Sequence, residues 1–380
     1  MMKNVYLDHA ATSPVHPEVI EEMIPYLTEH FGNPSSIHQF GRRARKVLDD
    51  ARTAIASSIN ATRNEIIFTS GGTESDNLAI LGTASALMEK GKHVITTKVE
   101  HHAVLHTFHE LERRGFEVTY LSVDKNGRIS LDDLKASLKE ETILVSIMYC
   151  NNETGTTQDI KEIGSLLEEN NIIFHTDAVQ AYGLIPLDVK ELNIDLMSAS
   201  GHKINSPKGT GFLYVKESVP FLPQGFGGEQ ERKRRAGTEN VAGIAALNKA
   251  AALSMIERDE RFDQYMIYRD TMKKIWNEEN IHYVENGSNE HFLPHILNVS
   301  FLGVKTEVLL VNLDIAGIAA SSGSACTAGS HEPSHVLAAM FGEDERTKSS
   351  VRFSFGLGNE LEDIEYAARE TAKIVKRLAK

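Results

Sequence analysis

The chain has 380 residues, with 40 Lys and Arg against 53 Asp and Glu for a net charge of −13, and it is 41% hydrophobic, which is the profile of a globular protein of about two to three domains. Its 27 glycines and 10 prolines are too few for a collagen-like or disordered chain, and the acidic balance argues against general nucleic-acid binding, which depends on neutralising phosphates. The two cysteines, Cys150 and Cys326, form no disulfide framework and point to a reducing, cytoplasmic setting, while the opening MMKNVYLDHAATSPV has no apolar signal core and no apolar run reaches the roughly 18 residues of a membrane span.

In chain order, Ile66–Thr69 reads as a buried strand, followed by Ser70-Gly71-Gly72 and a helix to about Met88. His93–Thr97 is a second strand, with a helix around Val104–Arg114 behind it. Ile143–Tyr149, Ile172–Thr176, Asp195–Ala199 and Gly211–Val215 follow as further apolar strands. Near-continuous apolar strands separated by helices predict a mainly parallel sheet covered on both faces. Such sheets bind ligands beyond the carboxyl ends of their strands. From Ala242 to Trp276 the pattern is one long helix. Leu297–Phe301, a helix near Glu307–Leu313, a small-residue loop at Ser321–Ser330 and Val351–Phe355 then predict a second, smaller α+β unit packed with the N-terminal segment. The expected division is a large domain over 15–257 and a small one made of 1–14 and 258–380.

The polar residues after the strands carry the chemistry. Ser70–Asn77 follows a strand and opens a helix, so its glycines allow close backbone approach and its free N–H groups suit a phosphate. An ordinary strand–helix turn capped by Thr73 is the other reading. Asp177 closes an apolar strand, as either a cap or the partner of a cation. Lys203, in Ser-Gly-His-Lys after a further strand, is either solvated or a base and Schiff-base former. A phosphate-binding helix start, a strand-end carboxylate and such a lysine form the set that a pyridoxal 5'-phosphate enzyme needs.

On the motifs YLDHAATSPV, FGNPSSIHQFG, IIFTSGGTESDNLAI, EHHAVL, ILVSIMYCNNETG, HTDAVQA, DLMSASGHKINSPKGTGFLYV, RAGTENV, SSGSACTAGSHEPSHVL and SSVRFSFG, the chain resembles the NifS-like cysteine desulfurases, class-V aminotransferases of fold-type I. The resemblance covers nearly the whole length. It implies an α/β fold with a mainly parallel seven-stranded sheet, a pyridoxal 5'-phosphate cofactor, and conversion of L-cysteine to L-alanine with sulfur held as a persulfide on Cys326. It further implies that Lys203 carries the cofactor and moves protons, Asp177 pairs with the ring nitrogen, His101 stacks on the ring, and Gln180 bonds the phenolic oxygen. Asn152 would lie at ring and substrate. Gly72, Thr73, Ser200 and His202 would hold the phosphate, with Thr238 reaching across from the other subunit of a homodimer. Arg352 would clamp the substrate carboxylate, helped by Asn33. The rival readings are an aminotransferase or selenocysteine lyase on the same fold, and an inactive sulfur carrier.

The small polar neighbours of Cys326 predict an exposed reactive loop, whereas Cys150 ends an apolar strand and reads as a core thiol. His331-Glu332-Pro333-Ser334-His335 spells a zinc-protease pattern, but Pro333 is poorly tolerated inside the helix that pattern requires. Of His101, His102, His106 and His109, only the first is expected in the site. Arg232–Arg235 reads as a solvated basic loop rather than an RNA contact. The resemblance leads one to expect a docking tail in desulfurases dedicated to iron–sulfur scaffolds, and the sequence ends on an amphipathic helix. A tRNA-thiolating enzyme is therefore the expected sulfur acceptor, with a scaffold as the alternative, and neither nucleic acid nor membrane is contacted directly.

Overall fold

The computed structural model describes residues 3–323 and 334–379. The strands are β1 Val5–Tyr6, β2 Ile66–Thr69, β3 His93–Thr97, β4 Glu117–Leu121, β5 Thr142–Ser146, β6 Ile173–Asp177, β7 Leu196–Ser200, β8 Gly211–Val215, β9 Val284–Glu285, β10 Ile296–Ser300, β11 Ile318–Ala319 and β12 Ser350–Ser354. The helices are α1 Pro17–Thr28, α2 Gln39–Ser58, α3 Gly72–Leu87, α4 His102–Arg113, α5 Leu131–Ser137, α6 Ile160–Glu169, α7 Val241–Glu278, α8 Thr306–Ile315, α9 His335–Phe341 and α10 Leu361–Leu378.

Seven strands form the main sheet in the order β2-β8-β7-β6-β5-β3-β4. All neighbours run parallel except β8, which is antiparallel to both β2 and β7. Successive side chains of a strand point to opposite faces, and here each face has its own core. Ile67, Val94, Leu144, Leu196 and Leu213 pack with α3 and α4 residues such as Leu78 and Phe108. Their chain neighbours Phe68, Ile95, Val145, Met197 and Phe212 pack on the other side with Leu48 and Ile55 of α2, Ile163 of α6 and Ile244 of α7. Double-sided burial explains the continuous apolar runs in the sequence. Edge strand β4 lacks such a run, being exposed or half-buried up to Leu121, and it was not among the expected strands. The strand expected over Ile143–Tyr149 ends at Ser146.

A second core joins β10, β12, α8, α10 and the far half of α7 around Trp276. There β10 lies between β12 and β9, antiparallel to both, and β1 pairs in parallel with β11. Helix α7 serves both cores: Val241–Ala251 pack under the large sheet, Tyr265–Trp276 in the smaller unit. The expected boundary at 257/258 falls inside it.

The segment after β8 is pinned by charge. The Arg52 guanidinium is buried and makes two bonds to the Glu231 carboxylate, at 2.6 and 2.7 Å, and one to the Ile66 carbonyl. Glu231 also accepts from the Phe68 N–H at 3.0 Å. The pair holds Glu231, Arg232 and Lys233 in left-handed backbone conformations, φ 45°, 57° and 67°, that non-glycine residues seldom adopt. The basic run is more engaged than a solvated loop: Arg232 bonds the Arg63 and Asn64 carbonyls, and Arg235 pairs with Glu74. Removing one member of a buried ion pair strands the other, at a cost of roughly 3–5 kcal/mol. Glu231→Ala should therefore lower stability by about that amount in urea unfolding. Removing the exposed Lys233–Glu229 pair should change it by less than about 1 kcal/mol. Equal effects would contradict the assignment of Arg52–Glu231 as the anchor.

Candidate active site

A cavity of about 210 Å³ opens at the carboxyl ends of β6 and β7, beside the start of α3. Gly72, Thr73, His101, Asn152, Asp177, Gln180, Ser200, His202, Lys203 and Arg352 all line it. Two of the residues expected in the site do not: Asn33 is exposed and accepts from the Ser35 N–H at 2.9 Å, and Thr238 lies exposed elsewhere on the chain. Cys326 and His331–Pro333 lie outside the described residues. Cys150 lines the cavity as a buried thiol, with burial pushing its pKa up.

The local backbone explains how these groups converge. Strand β2 ends at Thr69, and Gly71 turns the chain with φ 147°. A Cβ on Gly72 would come within 2.8 Å of Val179, so a larger residue here would force Val179 or the start of α3 to shift. The first-turn N–H groups of that helix have no intrahelical acceptor and face the cavity mouth. Strand β7 ends at Ser200, and a tight turn over Gly201–Lys203 brings the lysine into the cavity. A Cβ on Gly201 would lie 2.3 Å from Thr210 Oγ1. Lys203 Nζ donates to the Ala10 carbonyl and, at 2.7 Å, to that of Ala11.

Beneath the cavity lies a buried acidic layer. Asp177 Oδ1 accepts from the Val179 N–H at 2.9 Å. Burial raises its pKa to about 6, opposed by that hydrogen bond and by Lys203. Asp76, completely enclosed and 3.6 Å from His175 Nε2, is pushed well above the usual carboxylate range by burial and then by the Asp177 charge. Glu100 Oε1 accepts from Thr97 Oγ1 at 2.8 Å and the Met148 N–H at 3.0 Å, and burial raises it to about 8. Of the three, Asp177 is the one whose rise is opposed by a nearby cation, Lys203. The imidazoles are neutral: burial lowers His101 and His202 to about 4 and His175 to about 3. His101 caps α4, its Nδ1 accepting from the Ala103 N–H at 3.1 Å.

Arg352 of β12 is buried, pairs with Asp8 at 2.9 Å and donates to the Asn152 carbonyl at 2.7 Å. Its backbone also bonds Ser321 in both directions, so the segment leading toward Cys326 starts from the same residue. Asp8, Asp76, Glu100 and the carbonyls of Ala10 and Ala11 were not among the expected site residues. Only Asp76, one turn into the helix after Gly72, had a position that pointed to it. His102, His106, His109 and His335 form a chain of ring contacts 4.6 to 6.1 Å apart along α4 and α9, and among the described residues no His, Cys, Asp or Glu group is arranged to hold a metal.

The aminotransferase class-V model matches residues 5–367. A Bacillus subtilis (strain 168) relative, named provisionally as cysteine desulfurase IscS 1, is 59% identical over 99% of this chain and 100% of its own. The cysteine desulfurase IscS of Methanosarcina thermophila is 50% identical over 99% of this chain and 93% of its own. A solved NifS-like protein superposes with a TM-score of 0.93 at 34% identity, covering 99% of this chain and 100% of that one. The chain belongs to the class-V aminotransferase family, whose members are pyridoxal-phosphate enzymes of fold-type I. Within that family it is a cysteine desulfurase. The residues fit the cofactor: a glycine at the start of a helix whose added Cβ would press on Val179, the N-terminus of that helix, a buried carboxylate and a lysine amine meet in one cavity. No described helix is long and apolar enough to cross a membrane.

The raised Glu100 pKa gives a pH test. The charged form costs stability from the unfolded pKa of 4.5 upward, and the cost is complete above the folded value of about 8. Glu100→Gln keeps an oxygen for both hydrogen bonds and removes the charge. Its thermal midpoint should rise relative to wild type between about pH 5 and about pH 8. A constant or shrinking difference would show that the carboxyl is not held protonated.

Proposed function

We propose that the reaction runs by persulfide formation on Cys326, with the cavity residues binding cofactor and substrate L-cysteine. The observation that carries this reading is that Asp177 and Lys203, from the ends of two neighbouring strands, and Arg352, from the smaller unit, line one cavity. When bound, pyridoxal phosphate supplies an electron-withdrawing ring that stabilises negative charge at the substrate Cα. Asp177 would hold the proton on the ring nitrogen. The first turn of α3 at Gly72 and Thr73 would hold the phosphate with Ser200 and His202. Gln180 would donate to the phenolic oxygen, and neutral His101 would pack against the ring and relay a proton. Arg352 and Asn152 orient the substrate, the guanidinium taking the carboxylate.

Lys203 removes the Cα proton. The Cys326 thiolate attacks the substrate sulfur, a sulfur–sulfur bond forms, and the substrate Cβ–S bond breaks with its electron pair left on carbon. Protonation there, and return of the abstracted proton to Cα from Lys203, yield L-alanine, and Cys326 keeps the transferred sulfur as a persulfide for an acceptor protein. Lys203→Ala should lose turnover and hold no cofactor that borohydride can fix to a lysine. Cys326→Ser should keep the cofactor and still change its spectrum on adding cysteine, while alanine release falls by about a hundredfold or more. Normal alanine release from Cys326→Ser would refute the persulfide route.

We further propose a homodimer in which Thr238 serves the phosphate of the second copy. Support comes from apolar side chains in water on a single copy: Ile37 is 91% exposed, Phe226 90% and Phe31 67%. Arg235 ties the Thr238 segment to Glu74 at the phosphate turn of its own copy. Light scattering should give twice the chain mass, and Thr238→Ala should weaken cofactor retention without dissociating the dimer. An active monomer would remove Thr238 from the site.

A further inference from the structure

Gln180 reaches the cavity as a primary amide, and an amide can face a ligand with either end. Which end it presents depends on its other partners. Its Nε2 donates to the Ala10 carbonyl at 3.1 Å, and its Oε1 lies 2.9 Å from His295 Nε2. His295 sits just before β10, in the second structural unit, and is 5% exposed. A second cavity of about 30 Å³, lined by His295, Gln180, Lys203, Tyr265 and Phe355, adjoins the amide, so its two hydrogen bonds bear on which end faces the cofactor cavity.

We infer that His295 is the positioning residue for Gln180: as the neutral Nε2–H tautomer it donates to Oε1 and turns the NH₂ end toward Ala10 and the cofactor cavity. The tautomer follows from the partners. A carbonyl at Ala10 demands a donor from Gln180, so the opposite end must accept, and only an Nε2–H satisfies it. Nδ1 then carries the lone pair, and among the described residues it has no hydrogen-bond partner. Burial, reinforced by the charges of Lys203, Arg352 and Arg269, lowers the imidazole to about 3 and keeps it neutral. With one N–H committed to Ala10, the second N–H of Gln180 is the donor left for an anionic oxygen in the cavity. The inference rests on the proposed donor role of Gln180 toward the phenolic oxygen. It adds that this donor is set from across the junction between the two cores.

The test titrates the visible absorption of the holoenzyme with pH. A donor on the phenolic oxygen lowers that oxygen's hold on the proton it shares with the lysine-bound cofactor. Losing the donor should raise the midpoint by about one pH unit, the scale of one hydrogen bond to a charged oxygen. Gln180→Leu and His295→Leu should both show this rise, and His295→Gln, whose amide can donate from the position of Nε2, should restore the wild-type midpoint. His295→Asn, too short to reach Oε1, should behave as the leucine variant does and repeats the test in a polar background. A rise in Gln180→Leu with wild-type midpoints in His295→Leu and His295→Asn overturns the inference and leaves the role of Gln180 standing. No rise in Gln180→Leu overturns both.

Discussion

Residues 8–13 are the strip on which both halves of the molecule meet. Asp8 pairs with Arg352 from the smaller unit, and the Ala10 N–H donates to Ser354 of the same strand. On the other side, the Ala10 and Ala11 carbonyls receive Lys203, Ala10 receives Gln180, and Ser13 bonds the backbone of His202. Each bond is ordinary, and a buried charge or backbone group is costly only when left unpaired. Their concentration on one short segment means that neither the amine nor the guanidinium can be placed without it. The site is an agreement between two cores, written along one strip of backbone.

The charges of the cavity follow from its depth. Burial protonates the acids and deprotonates the imidazoles, because either ion would lose its hydration. Asp177 escapes through a backbone N–H and the nearby Lys203. Among the described residues no cation opposes the rise of Asp76 or Glu100. Asp177 is thus the carboxyl of the layer that its surroundings leave readiest to ionise.

Much of this was readable in the sequence, for physical reasons. The strands buried on both faces announced themselves as apolar runs, and Asp177 and Lys203 stood out as polar residues at the ends of such runs. Edge strand β4 was hidden because half its surface meets water and its pattern is mixed. The Ala10 and Ala11 carbonyls were hidden because a backbone acceptor has no residue type to mark it. Arg235 looked like one of four solvated cations, since nothing local shows that its partner Glu74 lies 161 residues away in the chain. His295 carried no motif; its meaning comes only from the hydrogen bond to Gln180. The resemblance to cysteine desulfurases reached the family, while partner choice within the cavity needed coordinates.

Helix α7 passes from one core to the other without a break. Its early residues are locked under the large sheet and its late ones around Trp276. A hinge at that crossing would have to open successive backbone hydrogen bonds of a helix packed at both ends, so the helix acts as a splint. The amine of Lys203, from the large sheet, and the guanidinium of Arg352, from the smaller unit, are then held at one spacing across the cavity, like the jaws of a caliper that has been set and clamped.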